Sequence, residues 1–273
     1  MCRWLGYSGA PLYLDELLFK PKRSLIQQSL QARGGSTTNG DGFGIGWYGE
    51  KEEPGLFKAL RPAWNDANLR SIAAQVRSPL FLAHVRAATG SAIQRTNCHP
   101  FQHGRWLFVH NGEIRGFRDI RRDLVLSVDP ALFPEIEGTT DTEVMLHLAL
   151  TLGLETEPVA AMERMVGLVE EIGGRHGVEH PISMTVGITD GDRIFAFRYS
   201  SERASFTLYH SVSMQALREL DPGADKFSDD ARLVVSEPLT ELSSEWIEIP
   251  ESSALVVEAG EVELQGFTPI PPD

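Results

Sequence analysis

Met1-Cys2-Arg3-Trp4-Leu5-Gly6-Tyr7-Ser8 opens the chain, and the reading of these eight residues decides the fold. Arg3 to Ser8 has the apolar character of a short buried strand that begins directly at the terminus. A thiol stands immediately in front of it. A side chain as small as Cys2 usually permits removal of the initiator methionine, which would leave a thiol and a free α-amine on one residue. An α-amine titrates near ~7.7–8.0 and a thiol near ~8.5, so the amine can take the thiol proton around neutral pH. That places nucleophile and base in a single residue. The plain alternative is that Cys2 is a small buried hydrophobe leading into a strand.

Outward from this start, two helical stretches are predicted around Asp15–Phe19 and Ser24–Ala32, followed by a glycine-rich segment over residues 34–42. Phe43, Ile45 and Trp47 alternate with glycines as in a strand, with Gly55–Leu60 as its partner and a helix over Asp66–Val76. Pro79–Val85 and Trp106–His110 read as central strands with polar ends, where chemistry is expected. Met145, Leu148, Ala149 and Leu152 repeat at helical spacing behind Asp141-Thr142-Glu143. Pro158 opens a second helix with Met162, Met165, Val166 and Val169 on one face, read as core filler.

The last third is strand-rich: Ile182–Ile188, Arg193–Tyr199, Phe206–His210, Arg232–Ser236, Trp246–Ile249, Ala254–Glu258 and Val262–Leu264. Strands, then helices, then strands predict a layered α+β domain, not alternating βαβ units. With 273 residues and no repeat or long linker, one domain over residues 2–273 is expected.

Lys and Arg total 25 against 38 Asp and Glu, a formal charge of −13, which argues against nucleic acid or an anionic membrane surface as partner. Two cysteines make no disulfide framework. With no signal peptide and no run approaching the ~20 apolar residues of a membrane span, a cytoplasmic location is expected. Cys98, His99, His103 and His110 match no closed zinc pattern, so no metal is expected, and Cys98 is read as a quiet, partly buried thiol. Gly40, Gly42, Gly44 and Gly46 lack the lysine and the context of a phosphate loop.

Three further segments carry candidate chemistry. Arg86, in His84-Val85-Arg86-Ala87-Ala88-Thr89, can fork onto a carboxylate with help from the Thr89 hydroxyl, or form a structural ion pair. Asn111-Gly112 offers a side-chain amide beside a backbone N–H, as an oxyanion hole needs, yet Asn-Gly is also the commonest hairpin turn. Asp141 can bind an ammonium group, or simply cap its helix.

Taken together, Met1-Cys2-Arg3-Trp4-Leu5-Gly6, the run from Asn39 to Tyr48, His84–Thr89, Asn97-Cys98-His99-Pro100-Phe101, His110–Ile114 and Thr140-Asp141-Thr142-Glu143 resemble, in order, the class II glutamine amidotransferases. More narrowly the chain resembles the stand-alone YafJ-like group and its relative in ergothioneine biosynthesis. Ser236-Glu237-Pro238-Leu239 and Trp246 extend the likeness over nearly the whole chain.

The resemblance implies a four-layer αββα sandwich of the N-terminal-nucleophile hydrolase type. It implies that Cys2 attacks the side-chain amide of glutamine or of another γ-glutamyl compound, with its own amine as base. Asn111 and the Gly112 N–H would hold the oxyanion. Arg86 and Thr89 would clamp the α-carboxylate, and Asp141 would pair with the α-ammonium. Asp41 and Gly42 would lie in a loop beside the nucleophile, with a local role that can be turn geometry alone, and His99 would shape a loop near the site.

Synthase-type relatives carry a histidine directly after the threonine, where this chain has Gly90. No cofactor is implied. No acceptor module is expected after the sandwich, which leaves either an ammonia-accepting synthase partner or a self-contained γ-glutamyl hydrolase. A cysteine acylase on the same scaffold and an inactive ligand-binding relative complete the alternatives.

Overall fold

The computed structural model describes residues 2–30, 38–215 and 225–272. Residues 31–32 of the second predicted helix and 34–37 of the glycine-rich segment lie outside them. In chain order the elements begin with β1 (Arg3–Tyr13), α1 (Asp15–Leu18), α2 (Leu25–Leu30), β2 (Phe43–Trp47), β3 (Gly55–Ala59), α3 (Ala67–Ala73) and β4 (Arg77–Val85). The middle of the chain holds β5 (Phe101–His103), β6 (Trp106–Ile114), α4 (Phe117–Leu126), α5 (Asp141–Thr151) and α6 (Pro158–Arg175). The strand-rich end comprises β7 (Ile182–Thr189), β8 (Arg193–Ser200), β9 (Tyr209–Ser211), β10 (Arg232–Val235), β11 (Trp246–Glu248), β12 (Ser253–Glu258) and β13 (Glu261–Gly266).

The strands form two sheets, ordered β11-β9-β10-β1-β4-β2-β3 and β13-β12-β8-β7-β6-β5, and every pairing is antiparallel. Period-two alternation explains the layers. In β1, Leu5 and Tyr7 face α1, α2 and α3, whereas Trp4 faces the second sheet. In β6, Leu107 and Val109 join Trp4 between the sheets, while Phe108 and Ile114 pack against α4, α5 and α6.

Helix, sheet, sheet, helix is the four-layer sandwich that the resemblance implied. Gly187 makes the central layer possible, because a Cβ there would lie 2.7 Å from the Trp4 ring. Trp4 also donates its indole N–H to Thr185 Oγ1 at 3.2 Å, so its polar edge is satisfied in the dry interior.

Most sequence-based elements appear within a few residues of their predicted bounds. The methionine face of α6 is core, with Met162, Met165, Val166 and Val169 all fully buried. Two readings need correction, and one helix was missed. Asn111-Gly112 is no hairpin turn: β6 runs through it, with Asn111 opposite Thr185 and Gly112 opposite Met184. Phe206–His210 yields a strand only over Tyr209–Ser211. Helix α4 was not anticipated, although Ile120 and Leu124 are completely buried on its inner face.

Candidate active site

Antiparallel register brings four distant segments to one end of the sandwich. Arg3 pairs with Val85, and Val85 also pairs with Phe43, so Cys2, Arg86 and the Asp41-Gly42 loop all lie just past the ends of adjacent strands. The second sheet contributes the end of β6, and α5 begins beside it. A cavity of about 200 Å³ opens there, lined among others by Cys2, Arg86, Thr89, His99, Gly112 and Asp141.

Cys2 is half-buried, and its thiol donates to the Ala87 carbonyl at 3.5 Å. Burial pushes the thiol up; the Ala87 bond and the Arg86 guanidinium oppose this, and Asp141 adds to it. A thiol in such surroundings needs a base at hand before it becomes a thiolate. Arg86 is 2% exposed. Its guanidinium donates to Ser91 Oγ at 2.7 Å and to the Ala92 carbonyl at 3.2 Å, while its backbone is pinned by the Gly42 carbonyl and the Asp41 N–H. Gly90 has φ +75° and makes the turn that returns Ser91 to the guanidinium. Ser91 thus serves Arg86, and sequence reading did not single it out.

Asp41 does more than shape a turn. Its carboxylate accepts the Ala88 N–H at 2.8 Å and so fixes the chain that carries Arg86 and Thr89. At Gly42, φ is +110° and a Cβ would fall 2.6 Å from Cys98 Sγ, so the loop packs closely onto that residue. Cys98 itself is completely buried, not partly so.

Asp141 occupies the first turn of α5 but is not its cap. Thr140 caps the helix by accepting the Glu143 N–H at 3.3 Å. The Asp141 carboxylate accepts the Ile114 N–H at 2.9 Å and the Thr142 N–H at 2.8 Å, which ties the end of β6 to α5. A carboxylate offers about four lone-pair sites, so capacity for a ligand cation remains.

Three buried histidines form the wall behind these groups. The His84 and His99 rings stack at 4.0 Å, and His84 Nε2 donates to the His110 carbonyl at 3.1 Å. His110 Nδ1 lies 2.9 Å from Thr142 Oγ1. Burial lowers all three from the usual histidine range, His84 to about 3, His99 well below that range and His110 below it. The wall is therefore neutral at physiological pH. Neither ring nitrogen of His99 has a hydrogen-bond partner among the described residues, and His99 and His110 both line the cavity. The motif positions of His99 and His110 were visible in the sequence; their convergence was not. Among the described residues no cluster suits a metal ion.

Asn111 is placed differently from Gly112. It lines a neighbouring cavity of about 360 Å³ together with Arg3 and Glu237, so the Asn111–Gly112 backbone lies between the two spaces. No helix among the described residues is long and apolar enough to cross a membrane.

A family model of class-II glutamine amidotransferases matches residues 20–272. The probable glutamine amidotransferase DUG3 of Saccharomyces cerevisiae is 32% identical over 94% of this chain and 82% of its own length. The γ-glutamyl-hercynylcysteine sulfoxide hydrolase of Mycolicibacterium smegmatis is 33% identical over 57% of this chain and 65% of its own. Among solved structures, a glutamine aminotransferase class-II domain protein from Silicibacter pomeroyi superposes with a TM-score of 0.75 at 30% identity, covering 98% of this chain and 100% of that one.

Proposed function

The chain belongs to the class-II glutamine amidotransferases, and on that premise we propose that it is a cysteine N-terminal-nucleophile amidohydrolase whose Cys2 opens γ-glutamyl amides. Residues 2–273 act as one domain, since both sheets and α5 contribute to the same cavity. The observation that carries the reading is the convergence of Cys2, Arg86 and Asp141, 84 and 55 residues apart in sequence, on one space of about 200 Å³. A thiol, a guanidinium and a carboxylate in that arrangement fit an acyl carbon attached to a zwitterionic head.

In this reading Met1 is removed and the α-amine of Cys2 takes the thiol proton. The thiolate attacks the γ-carbonyl carbon, and the resulting oxyanion is held by the Asn111 amide and the Gly112 N–H. Collapse breaks the C–N bond, and the α-ammonium returns the proton to the departing nitrogen. Water then cleaves the Cys2 thioester to free glutamate and restore the thiol. Arg86, held by Ser91, and the Thr89 hydroxyl take the α-carboxylate, while Asp141 takes the α-ammonium. The neutral histidine wall adds no competing charge beside that head group. The chemistry calls for no cofactor, and it suits a reducing cytoplasm in which the thiol stays free.

The test is glutamate release from L-glutamine and from γ-glutamyl amides by the Met1-processed protein. The reading expects Cys2→Ala to abolish release and Arg86→Ala to weaken substrate binding. Undiminished release by Cys2→Ala would overturn it. Ammonia transfer to a synthase partner is a second reading. It would show as glutaminase activity that rises when such a partner is added.

A further inference from the structure

Ser236-Glu237-Pro238-Leu239 continues β10 past its last residue, Val235, and contributes nothing to the cavity that holds Cys2. It lies instead against the start of β1. The Ser236 N–H donates to the Trp4 carbonyl at 3.0 Å, and Ser236 Oγ accepts the Trp4 N–H at 3.0 Å. From α2, Gln28 Nε2 donates to the Glu237 carbonyl at 3.2 Å and to the Pro238 carbonyl at 3.3 Å. A strand on one side and a helix on the other therefore fix where the Glu237 carboxylate stands.

That carboxylate faces Arg3, and both residues are buried. Arg3 Nε donates to Glu237 Oε1 at 2.8 Å and Arg3 Nη2 to the same oxygen, while Oε2 lies 3.4 Å from Arg23 Nη2. The remaining arm of Arg3, Nη1, donates to the Cys2 carbonyl at 2.8 Å. A guanidinium is planar and rigid, so fixing one edge fixes the other. Burying such a pair costs the desolvation of both charges, and apolar side chains of similar volume often stabilise a fold as well or better. What they could not supply is a donor for the Cys2 carbonyl.

Cys2 needs that donor because it stands outside the sheet. The pairing of β1 with β4 begins at Arg3, opposite Val85. Beyond it the Cys2 thiol donates to the Ala87 carbonyl at 3.5 Å. A thiolate has no proton to donate, so this contact is lost when the nucleophile forms and must be aimed. The bond from Arg3 to the carbonyl is independent of the thiol's charge. Arg3 lines the neighbouring cavity, not the one with Arg86, Thr89 and Asp141, so it stands apart from the proposed head-group site.

We propose that Glu237, acting through the Arg3 guanidinium, positions Cys2 for its attack. The inference rests on the reading that Cys2 opens γ-glutamyl amides, and adds to it two positioning residues that hold the nucleophile by its backbone.

The experiment measures kcat and KM on the Met1-processed wild type, Arg3→Ala and Arg3→Lys, each with its thermal melt. The substrate is whichever of L-glutamine and γ-L-glutamyl-p-nitroanilide the wild type turns over faster. A misplacement of about 1 Å can cost about 100-fold in rate, so kcat should fall at least tenfold in both variants, with KM within threefold because the head-group residues are intact. Lysine keeps the charge, but its compact ammonium cannot span Glu237 and the carbonyl as the fork does. Removing the Arg3 side chain opens its place to the neighbouring cavity. Millimolar guanidinium should therefore restore the kcat of Arg3→Ala by about fivefold or more, with tetramethylammonium ineffective and the wild type unchanged.

A kcat within threefold of wild type in a folded variant, a loss carried by KM instead of kcat, or an Arg3→Ala loss that guanidinium does not reverse overturns the proposal. Should Arg3→Ala not fold, the kcat and KM of Arg3→Lys decide alone. Wild-type turnover that the variants retain removes only this positioning role. Absence of wild-type turnover on either amide, with no alkylation of Cys2 by a glutamine-mimicking diazoketone, removes the parent reading and this inference with it.

Discussion

Replacing Gly112 by alanine puts stability and catalysis to the same test. At this position φ is +155°, and an added Cβ would lie 2.0 Å from the Ser183 carbonyl oxygen, 2.6 Å from His110 Nε2 and 2.9 Å from Met184 Cα. Two of these neighbours are backbone atoms of β7, the strand paired with β6. The contact must open by about 1 Å before it is tolerable, which forces the strands apart at the point where the first cavity begins. Overpacking of this kind costs about 1–3 kcal/mol, and backbone neighbours place it at the upper end.

For a chain of this size each kcal/mol lowers Tm by roughly 2–4 °C, so a fall of roughly 6–12 °C is expected. The same shift displaces a proposed oxyanion donor, for which comparable sites lose about 10²–10³ in kcat. The assays are a thermal melt and steady-state glutamate release, with Gly174→Ala as control. A Cβ at Gly174, within α6, meets nothing within 4 Å, so that variant should melt at or above the wild-type temperature. A Gly112→Ala protein that melts within 2 °C of wild type and keeps kcat within about threefold would refute the reasoning.

Arg86→Ala removes the proposed carboxylate clamp. A charge-assisted hydrogen bond contributes about 1.5–3 kcal/mol, so KM should rise roughly 10- to 150-fold with kcat less affected, and a KM within threefold of wild type contradicts the assignment. Asp41→Ala leaves the Ala88 N–H without its 2.8 Å acceptor; a loss of about 1 kcal/mol is expected, read as a Tm lower by a few degrees together with reduced kcat/KM, whereas no change in either would show that the loop is held by other contacts.

Burial lowers His84, His99 and His110, so the sign of their pH effect follows. Above about pH 6.5 they are neutral in both the folded and the unfolded chain and contribute nothing to the pH dependence. Below it the unfolded chain takes up protons that the folded one refuses, and each histidine removes up to about 1.4 kcal/mol per pH unit until its folded value is reached, for His84 near 3. Melting between pH 7.5 and 5 should show a Tm that is flat above 6.5 and falls steeply below. A Tm constant down to pH 5 rules out a neutral histidine wall.

The layered architecture was legible because its strands and long helices carry their own periodicity. The inner face of α6 is the clearest case: four apolar side chains at helical spacing, all buried. Helix α4 escaped notice because Arg118, Asp119, Arg121, Arg122 and Asp123 surround the spaced Phe117, Ile120 and Leu124, so the short stripe is lost among charges. Asn111-Gly112 shows a local preference overruled by pairing. Its turn propensity is real, but β7 supplies partners along its whole length, and the strand continues.

At the site, the motifs placed Cys2, Arg86 and Asp141 near one another. What they could not give is which partner each side chain takes. Ser91 beside Arg86, Thr140 as the cap of α5, and Asn111 facing a separate cavity all depend on the close packing of segments remote in sequence.

The central claim is that a mature amino-terminal Cys2 is the nucleophile for a γ-glutamyl carbonyl. Intact mass of the purified protein before and after incubation with a glutamine-mimicking diazoketone tests it most directly. The account predicts a starting mass lacking Met1, then a single covalent adduct at Cys2 with buried Cys98 unmodified, and protection by excess L-glutamine. Retention of Met1, or an adduct that forms equally well in the Cys2→Ala protein, would contradict it.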